Sequence, residues 1–352
     1  MIPLGPTPGT AALDIGGANI KGSAPDGAAS IVPFELWKHP GDLERALVSI
    51  IEPLRPLDRL AITLTAELCD CFETKAAGVR HILDSVAGAL APMPPGQRPR
   101  VLVWRTDRRL VGIDEARADP IPAAAANWLA TAILAGRLAP RGQALLVDVG
   151  STTADIIPIE DGDPAPAGLT DIDRLLSGEL VYTGVSRTPI AAIVGELPWR
   201  GRMCPVAKEV FATSRDAYLV LGRTGEDPLD ISTADGRPAT RVHARARLAR
   251  MLCADPADFT DEHATAAARC VATAQEAEIA SAIETVGWRR GRIGALVAAG
   301  SGEFLAAAAA RDRAEAIISL AREIGETGSA AAAAHALRLI AFGRAHGELD
   351  GP

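Results

Sequence analysis

Two stretches of this chain share one order of residues, and that order constrains the fold more than anything else in it. Ala12-Leu-Asp-Ile-Gly-Gly-Ala-Asn-Ile-Lys-Gly22 and Leu145-Leu-Val-Asp-Val-Gly-Ser-Thr-Thr-Ala-Asp-Ile-Ile157 each run from an apolar stretch to an aspartate. Each then passes through glycine and small or polar residues into a second apolar stretch. This pattern reads as a β-hairpin whose turn uses glycine's conformational freedom. The N–H groups and hydroxyls of such a turn suit phosphate oxygens. An aspartate at the strand end suits a divalent cation that holds the phosphate. One such hairpin is an ordinary turn. Two of them, with Asp14 and Asp148 separated by 134 residues, are about one domain apart and point to an internal duplication.

A chain of 352 residues is long enough for two lobes. Its net charge of −8, without a dense basic patch, argues against nucleic acid and favours a small anion neutralised by metal. No window of about 18 strongly apolar residues predicts a membrane span. The first residues, Met1-Ile-Pro-Leu4, lack the charged and apolar segments of a secretion signal, so a cytoplasmic protein is expected. The odd count of 5 cysteines fits a reducing compartment. Cys69-Asp-Cys71 resembles half of a metal clip, but nothing in the sequence completes it, and the 6 histidines lack zinc spacing.

Strands are expected at Ala11–Ile15, Ile20–Ala24, Leu57–Leu64 and Val101–Trp104, with helices at Asp42–Leu54, Glu73–Leu90 and Pro122–Gly136. Pro140-Arg-Gly142 breaks the chain before the second hairpin and sets the expected boundary between lobes 1–140 and 141–352. A largely helical insertion is expected at about 171–290, followed by the strand Ile293–Ala298 and a last helix, Ser329–His346. Strands alternating with helices in both halves predict an α/β protein.

A third glycine-bearing strand end, Ala298-Ala-Gly-Ser-Gly302, completes a series with the two hairpins. In order and spacing the three loops resemble the actin-like ATPase superfamily of sugar kinases, Hsp70 and actin. The resemblance implies two ribonuclease H-like lobes around an interlobe cleft. Further segments bring the likeness closer: Thr65-Ala-Glu-Leu-Cys-Asp-Cys-Phe72, Ala125-Ala-Asn-Trp-Leu-Ala130, Gly178-Glu-Leu-Val-Tyr-Thr-Gly-Val-Ser-Arg-Thr-Pro189 and Thr233-Ala-Asp-Gly-Arg-Pro238. With them the chain resembles the hydantoinase/oxoprolinase-related branch, and within it the proteins of tetrahydromethanopterin-linked one-carbon metabolism. That resemblance implies a transferase of methanofuran or methylofuran biosynthesis. Such an enzyme joins aminomethylfuran diphosphate to the phenol oxygen of γ-glutamyltyramine and releases diphosphate.

Site expectations follow. Asp14 and Asp148 are the candidate ligands of Mg2+, with Asp148 also counted as catalytic. Gly16, Gly17, Asn19, Lys21, Gly150, Ser151, Thr152 and Thr153 are candidates to hold diphosphate, although Lys21 in a period-2 strand has solvent as its other outlet. Sugar kinases often carry Thr where Ala18 stands, which weakens a γ-phosphate reading. Gly300 and Gly302 of the third loop, and Asn127 and Arg187, complete the substrate-binding set, with Arg187 assigned to diphosphate or to the glutamyl carboxylate.

A phenol of pKa about 10 needs a base better matched than an ordinary carboxylate. Glu67 and Asp70 are the candidates; the alternative is that both sit at a helix N-terminus for the sake of its dipole. Two other functions stay open: an ATP-dependent small-molecule kinase, and a non-catalytic nucleotide-binding or assembly protein. The expected partners are small molecules, without nucleic acid or membrane, and a homo-oligomer is left open.

Overall fold

A computed structural model describes residues 5–288 and 292–346. Met1–Leu4, read above for a secretion signal, and residues 289–290 at the end of the expected insertion lie outside them.

The first half contains β1 (Thr10–Gly16), β2 (Asn19–Ser23), β3 (Ala29–Pro33), α1 (Leu43–Ile51), β4 (Arg59–Thr65), α2 (Lys75–Leu90), β5 (Arg100–Trp104), β6 (Leu110–Val111), α3 (Ile113–Ala118) and α4 (Asn127–Leu138). Its sheet runs β3-β2-β1-β4-β5-β6. β1 to β3 form an antiparallel meander, whereas β4 and β5 continue parallel to β1. Parallel neighbours need long crossovers, which α1 and α2 supply.

The second half begins with β7 (Gln143–Val149), β8 (Ala154–Glu160), β9 (Asp163–Pro164), α5 (Asp171–Ser177) and β10 (Leu180–Val181). A mostly helical stretch follows: α6 (Ile190–Ile193), the ribbon β11 (Glu196–Trp199) and β12 (Arg202–Pro205), α7 (Ser214–Val220), α8 (Arg241–Met251) and α9 (Asp261–Trp288). It has its own core around Leu197, Leu248, Met251 and Phe259. The chain then completes the sheet with β13 (Ala295–Ala299), α10 (Glu303–Ala309) and β14 (Ala316–Ser319), and ends in α11 (Leu320–Ile324), α12 (Glu326–Ala330) and α13 (Ala332–Ala345).

The second sheet runs β10-β8-β7-β13-β14, with β9 beside β8. Each sheet thus centres on an antiparallel hairpin and continues into two parallel strands. This is the expected pair of ribonuclease H-like lobes. The registers repeat as well. Asp14 lies opposite Lys21 in the first hairpin, and Asp148 lies opposite Asp155 in the second.

The core does not divide where the chain passes from one half to the other. One cluster joins Ala12 and Ala61 of the first sheet, Leu146, Ile157 and Val297 of the second, Trp128 and Leu129 of α4, and Leu337 and Ile340 of α13. The alanine runs explain how: small side chains let α4 and α13 lie close to each other and to both sheets. α4 starts at Asn127, five residues later than expected, because Ala125 takes a left-handed backbone (φ 46°) that helix cannot include.

Candidate active site

A cleft of about 600 Å³ opens where the turns of both hairpins meet. Asp14, Gly16, Gly17, Asn19 and Lys21 line it from the first lobe, and Asp148, Gly150, Ser151, Thr152 and Thr153 from the second. Lys21 therefore faces the cleft and not bulk solvent, because the β1–β2 register places it across from Asp14. Among the described residues it makes no ion pair, so its ammonium is available to an anion.

Burial dominates the electrostatics. Asp14 is only 4% exposed, and burial raises its pKa above the usual carboxylate range, against the pull of Lys21 and of Thr65, whose Oγ1 donates to Asp14 Oδ1 at 3.4 Å. Asp148 keeps an opening to the cleft but lies deep in the protein. Burial, then the negative fields of Asp155 and Asp14, push it up to about 7 despite Lys21. Asp155 itself is tied to the Arg174 guanidinium of α5, which stacks over the Trp128 ring with Cζ 4.3 Å from its centroid. Too many acidic groups for the available positive charge thus converge on one cleft. Among the described residues no group of three His, Cys, Asp or Glu could hold a metal unaided. Asp14 and Asp148 instead form a two-carboxylate floor, the kind that suits magnesium completed by phosphate oxygens and water.

The loop after β4 forms another wall. Glu67 is 2% exposed, and its Oε2 has no hydrogen-bond partner. Burial raises it to about 7; the field of Asp171 adds to this, while backbone N–H contacts and Lys75 oppose it. Lys75 Nζ and Asp171 Oδ2 meet at 2.6 Å, bridging α2 of the first lobe to α5 of the second. Asp70, three residues on, is exposed at the cleft. Neither carboxylate caps a helix: α2 starts at Lys75 with Thr74 as its N-cap, so the dipole explanation for the pair does not apply. Gly78 of α2 packs directly on this loop, where a Cβ would lie 2.6 Å from Glu67 O.

Asn127 lines the cleft at the start of α4, and Arg187 lines it from the segment after β10. That segment is fastened to the hydroxyl turn: Ser186 N and Arg187 N both donate to Ser151 O, at 3.0 and 2.9 Å. The third loop abuts Asp148. Gly300 and Gly302 do not belong to the cleft lining; they pack behind the second hairpin. Gly300 (φ 90°) lies so close that a Cβ would be 2.3 Å from Val149 O and 2.4 Å from Asp148 Oδ1, and Gly302 N donates to Val149 O at 2.8 Å. Their place in the structure is to buttress Asp148.

Asp155, Arg174, Asp171, Trp37, Thr65 and Tyr182, none of them a site candidate from the sequence, also line the cleft. Asp155 was within reach, since a two-strand register counted back from the Ser151–Thr153 turn sets it opposite Asp148. The others depend on how distant segments fold together.

The hydantoinase/oxoprolinase family model matches residues 58–339. The (4-{4-[2-(gamma-L-glutamylamino)ethyl]phenoxymethyl}furan-2-yl)methanamine synthase of Methanocaldococcus jannaschii is 35% identical over 246 residues, 69% of this chain and 71% of that protein. The protein of the same name from Methanococcus vannielii is 40% identical over 111 residues, 32% of this chain and half of that protein. Among solved structures, the archaeal actin homolog Ta0583 aligns with 93% of this chain and 97% of its own at 12% identity and a TM-score of 0.40, which says nothing of chemistry. The family match spans most of the chain and agrees with the synthase relatives in sequence: the protein belongs to the hydantoinase/oxoprolinase family.

Proposed function

We propose that this protein is a transferase of methanofuran-type cofactor biosynthesis. It joins the furfuryl carbon of aminomethylfuran diphosphate to the phenol oxygen of γ-glutamyltyramine. The observation that carries this reading is the meeting, in one cleft, of two phosphate-type hairpins and a buried carboxyl group, one oxygen of which has no hydrogen-bond partner, whose pKa burial raises to about 7. The name of the 35% identical relative describes the ether such a reaction would make.

The residues divide by chemistry. Lys21 and the hydroxyls of Ser151, Thr152 and Thr153 hold the diphosphate oxygens. Asp14 and Asp148 are the groups that would hold Mg2+ with those oxygens, and their mutual repulsion in a buried cleft is relieved by such a cation. When bound, the metal neutralises charge on the departing diphosphate. Glu67 accepts the phenol proton. With a pKa of about 7 it lies within about 3 units of the phenol's value near 10, a closer match than an ordinary carboxylate offers. The carbon–oxygen bond to diphosphate breaks with its electron pair leaving on diphosphate. The phenol oxygen donates the pair of the new ether bond, and its proton passes to Glu67. Asp70, exposed to water, keeps the ordinary carboxylate mismatch and is the weaker candidate.

Incubating the protein with aminomethylfuran diphosphate, γ-glutamyltyramine and Mg2+ tests the reading. Ether and diphosphate are expected in equal amounts. Absence of ether together with turnover of ATP would overturn it in favour of a kinase.

A further inference from the structure

We infer that the mouth of the cleft is an acceptor subsite for an aromatic ring carrying a carboxylate tail: Leu68 and Tyr182 receive the ring, and Arg187, stacked on Trp37, receives the carboxylate.

Three observations carry this. The cleft floor is polar and acidic, but Leu68, Tyr182 and Trp37 add an apolar patch to its lining. Leu68 is 58% and Tyr182 57% exposed. Large apolar side chains left open at the edge of a polar cleft are suited to covering the face of a ring. Next, the Arg187 guanidinium lies over the Trp37 ring, Cζ 4.4 Å from its centroid, so residues of both lobes build the pair. Stacking fixes the plane of the guanidinium while its N–H edge stays free, because Arg187 forms no ion pair among the described residues. A planar fork held in this way is suited to a carboxylate.

Last, the two cleft cations that make no ion pair among the described residues, Lys21 and Arg187, serve different regions. Lys21 is the cation whose field acts most strongly on Asp14 and Asp148 at the floor. The field of Arg187 acts on the Cys69 thiol, on the same loop as Glu67 and Asp70. The Arg187 backbone is bonded to the hydroxyl turn through Ser151 O, but its side chain reaches across the cleft to Trp37 of the first lobe, whereas Lys21 stays on the floor. The stack on Trp37, in the same lining as Leu68 and Tyr182, is what assigns the Arg187 guanidinium to the acceptor's glutamyl carboxylate and not to diphosphate. The assignment rests on the proposed reaction for the identity of the acceptor, but not for the chemistry of the subsite.

The test compares two phenols, γ-glutamyltyramine and tyramine, which lacks the carboxylate. Their dissociation constants for the wild-type chain and for Arg187→Gln and Trp37→Leu are measured by calorimetry without donor, with inhibition by inorganic pyrophosphate measured in parallel. Wild type is expected to prefer γ-glutamyltyramine by about tenfold or more. Arg187→Gln should abolish that preference by weakening γ-glutamyltyramine alone, and Trp37→Leu should reduce it. Pyrophosphate inhibition should stay within about twofold of wild type in both variants, within the spread expected of a peripheral change. Equal weakening of both phenols, or weakened pyrophosphate in Arg187→Gln, would overturn the assignment. Binding of γ-glutamyltyramine without ether formation would count against the proposed reaction and leave the subsite standing. A wild-type chain that binds neither phenol would remove the subsite itself.

Discussion

Glu67 and Asp70 stand three residues apart on one loop, and their surroundings separate them. Glu67 is buried without a partner for Oε2, whereas Asp70 faces water. That difference predicts a pH dependence. kcat/KM for ether formation should rise as pH climbs through about 7, where Glu67 loses its proton, and Glu67→Gln should remove this limb along with most of the activity. Stability should move the other way. The folded pKa of Glu67 is raised above 4.5, so the fold pays nothing below that pH and carries the full cost of a buried charge above about 7. A shift of this size amounts to about 3 kcal/mol. Glu67→Gln should therefore melt at a higher temperature than wild type at pH 8 and show little gain at pH 4.5; equal melting temperatures at pH 8 would argue against a buried charge. Asp148→Asn makes a second case. It should lower turnover by on the order of 100-fold or more while the protein stays folded, since removing charge from a crowded acidic cleft favours the fold. Wild-type turnover would rule out a role for Asp148 in holding metal. The sequence could name Glu67, Asp70, Asp14 and Asp148 because each ends a strand or follows one. It could not say which acid was buried, because burial is set by the partners that cover a loop.

At the scale of elements, two glycines set opposite walls of the cleft. A Cβ on Gly184 would lie 2.5 Å from Thr152 N and from Ser151 C, and one on Gly78 would lie 2.6 Å from Glu67 O. Both contacts involve backbone that no rotamer change can relieve, so each alanine substitution should cost about 1–3 kcal/mol and shift its own wall. The functional consequences should differ. Gly184→Ala displaces the hydroxyl turn and should weaken inhibition by pyrophosphate. Gly78→Ala displaces the Glu67 loop and should lower kcat and blunt the pH dependence, with pyrophosphate affected less. Identical profiles for the two variants would mean that the walls do not act separately. The hairpins themselves were legible in the sequence, since alternation of apolar and polar residues fixes which side chains share a face. The third loop was legible as an element and not as a role. Gly300-Ser-Gly302 reads as a ligand loop, and the close approach its glycines permit is to Val149 and to the Asp148 carboxylate. Nothing local distinguishes a glycine that admits a ligand from one that admits a neighbouring strand.

At the scale of the molecule, the repeated strand order follows from the sequence, but the way the halves are joined does not. The chain passes between the lobes near residue 140, yet α13, at the far end of the described residues, packs on β1, β2 and β4 of the first sheet and on α4. Arg338 fastens it there. Fully buried, its guanidinium donates to Ser23 Oγ at 2.9 Å, Thr7 Oγ1 at 2.7 Å and Gly5 O at 3.0 Å. An alanine-rich helix buried nearly all round reads the same in sequence whichever sheet it covers, so this crossing was not visible there. Its energetic weight is testable. A chain ended at residue 331 would lose Leu337, Leu339 and Ile340 from the shared cluster and expose the face of β1 and β4 that they cover. Burying three such side chains is worth about 5–9 kcal/mol, comparable to the whole stability of an ordinary domain. The truncated chain should therefore show no cooperative thermal transition in either lobe, followed by near-ultraviolet circular dichroism, even though every strand of both sheets remains. A sharp transition near that of the longer chain would mean that the lobes fold independently, and that the cleft between them is held by the Lys75–Asp171 and Trp37–Arg187 contacts instead of by a common core.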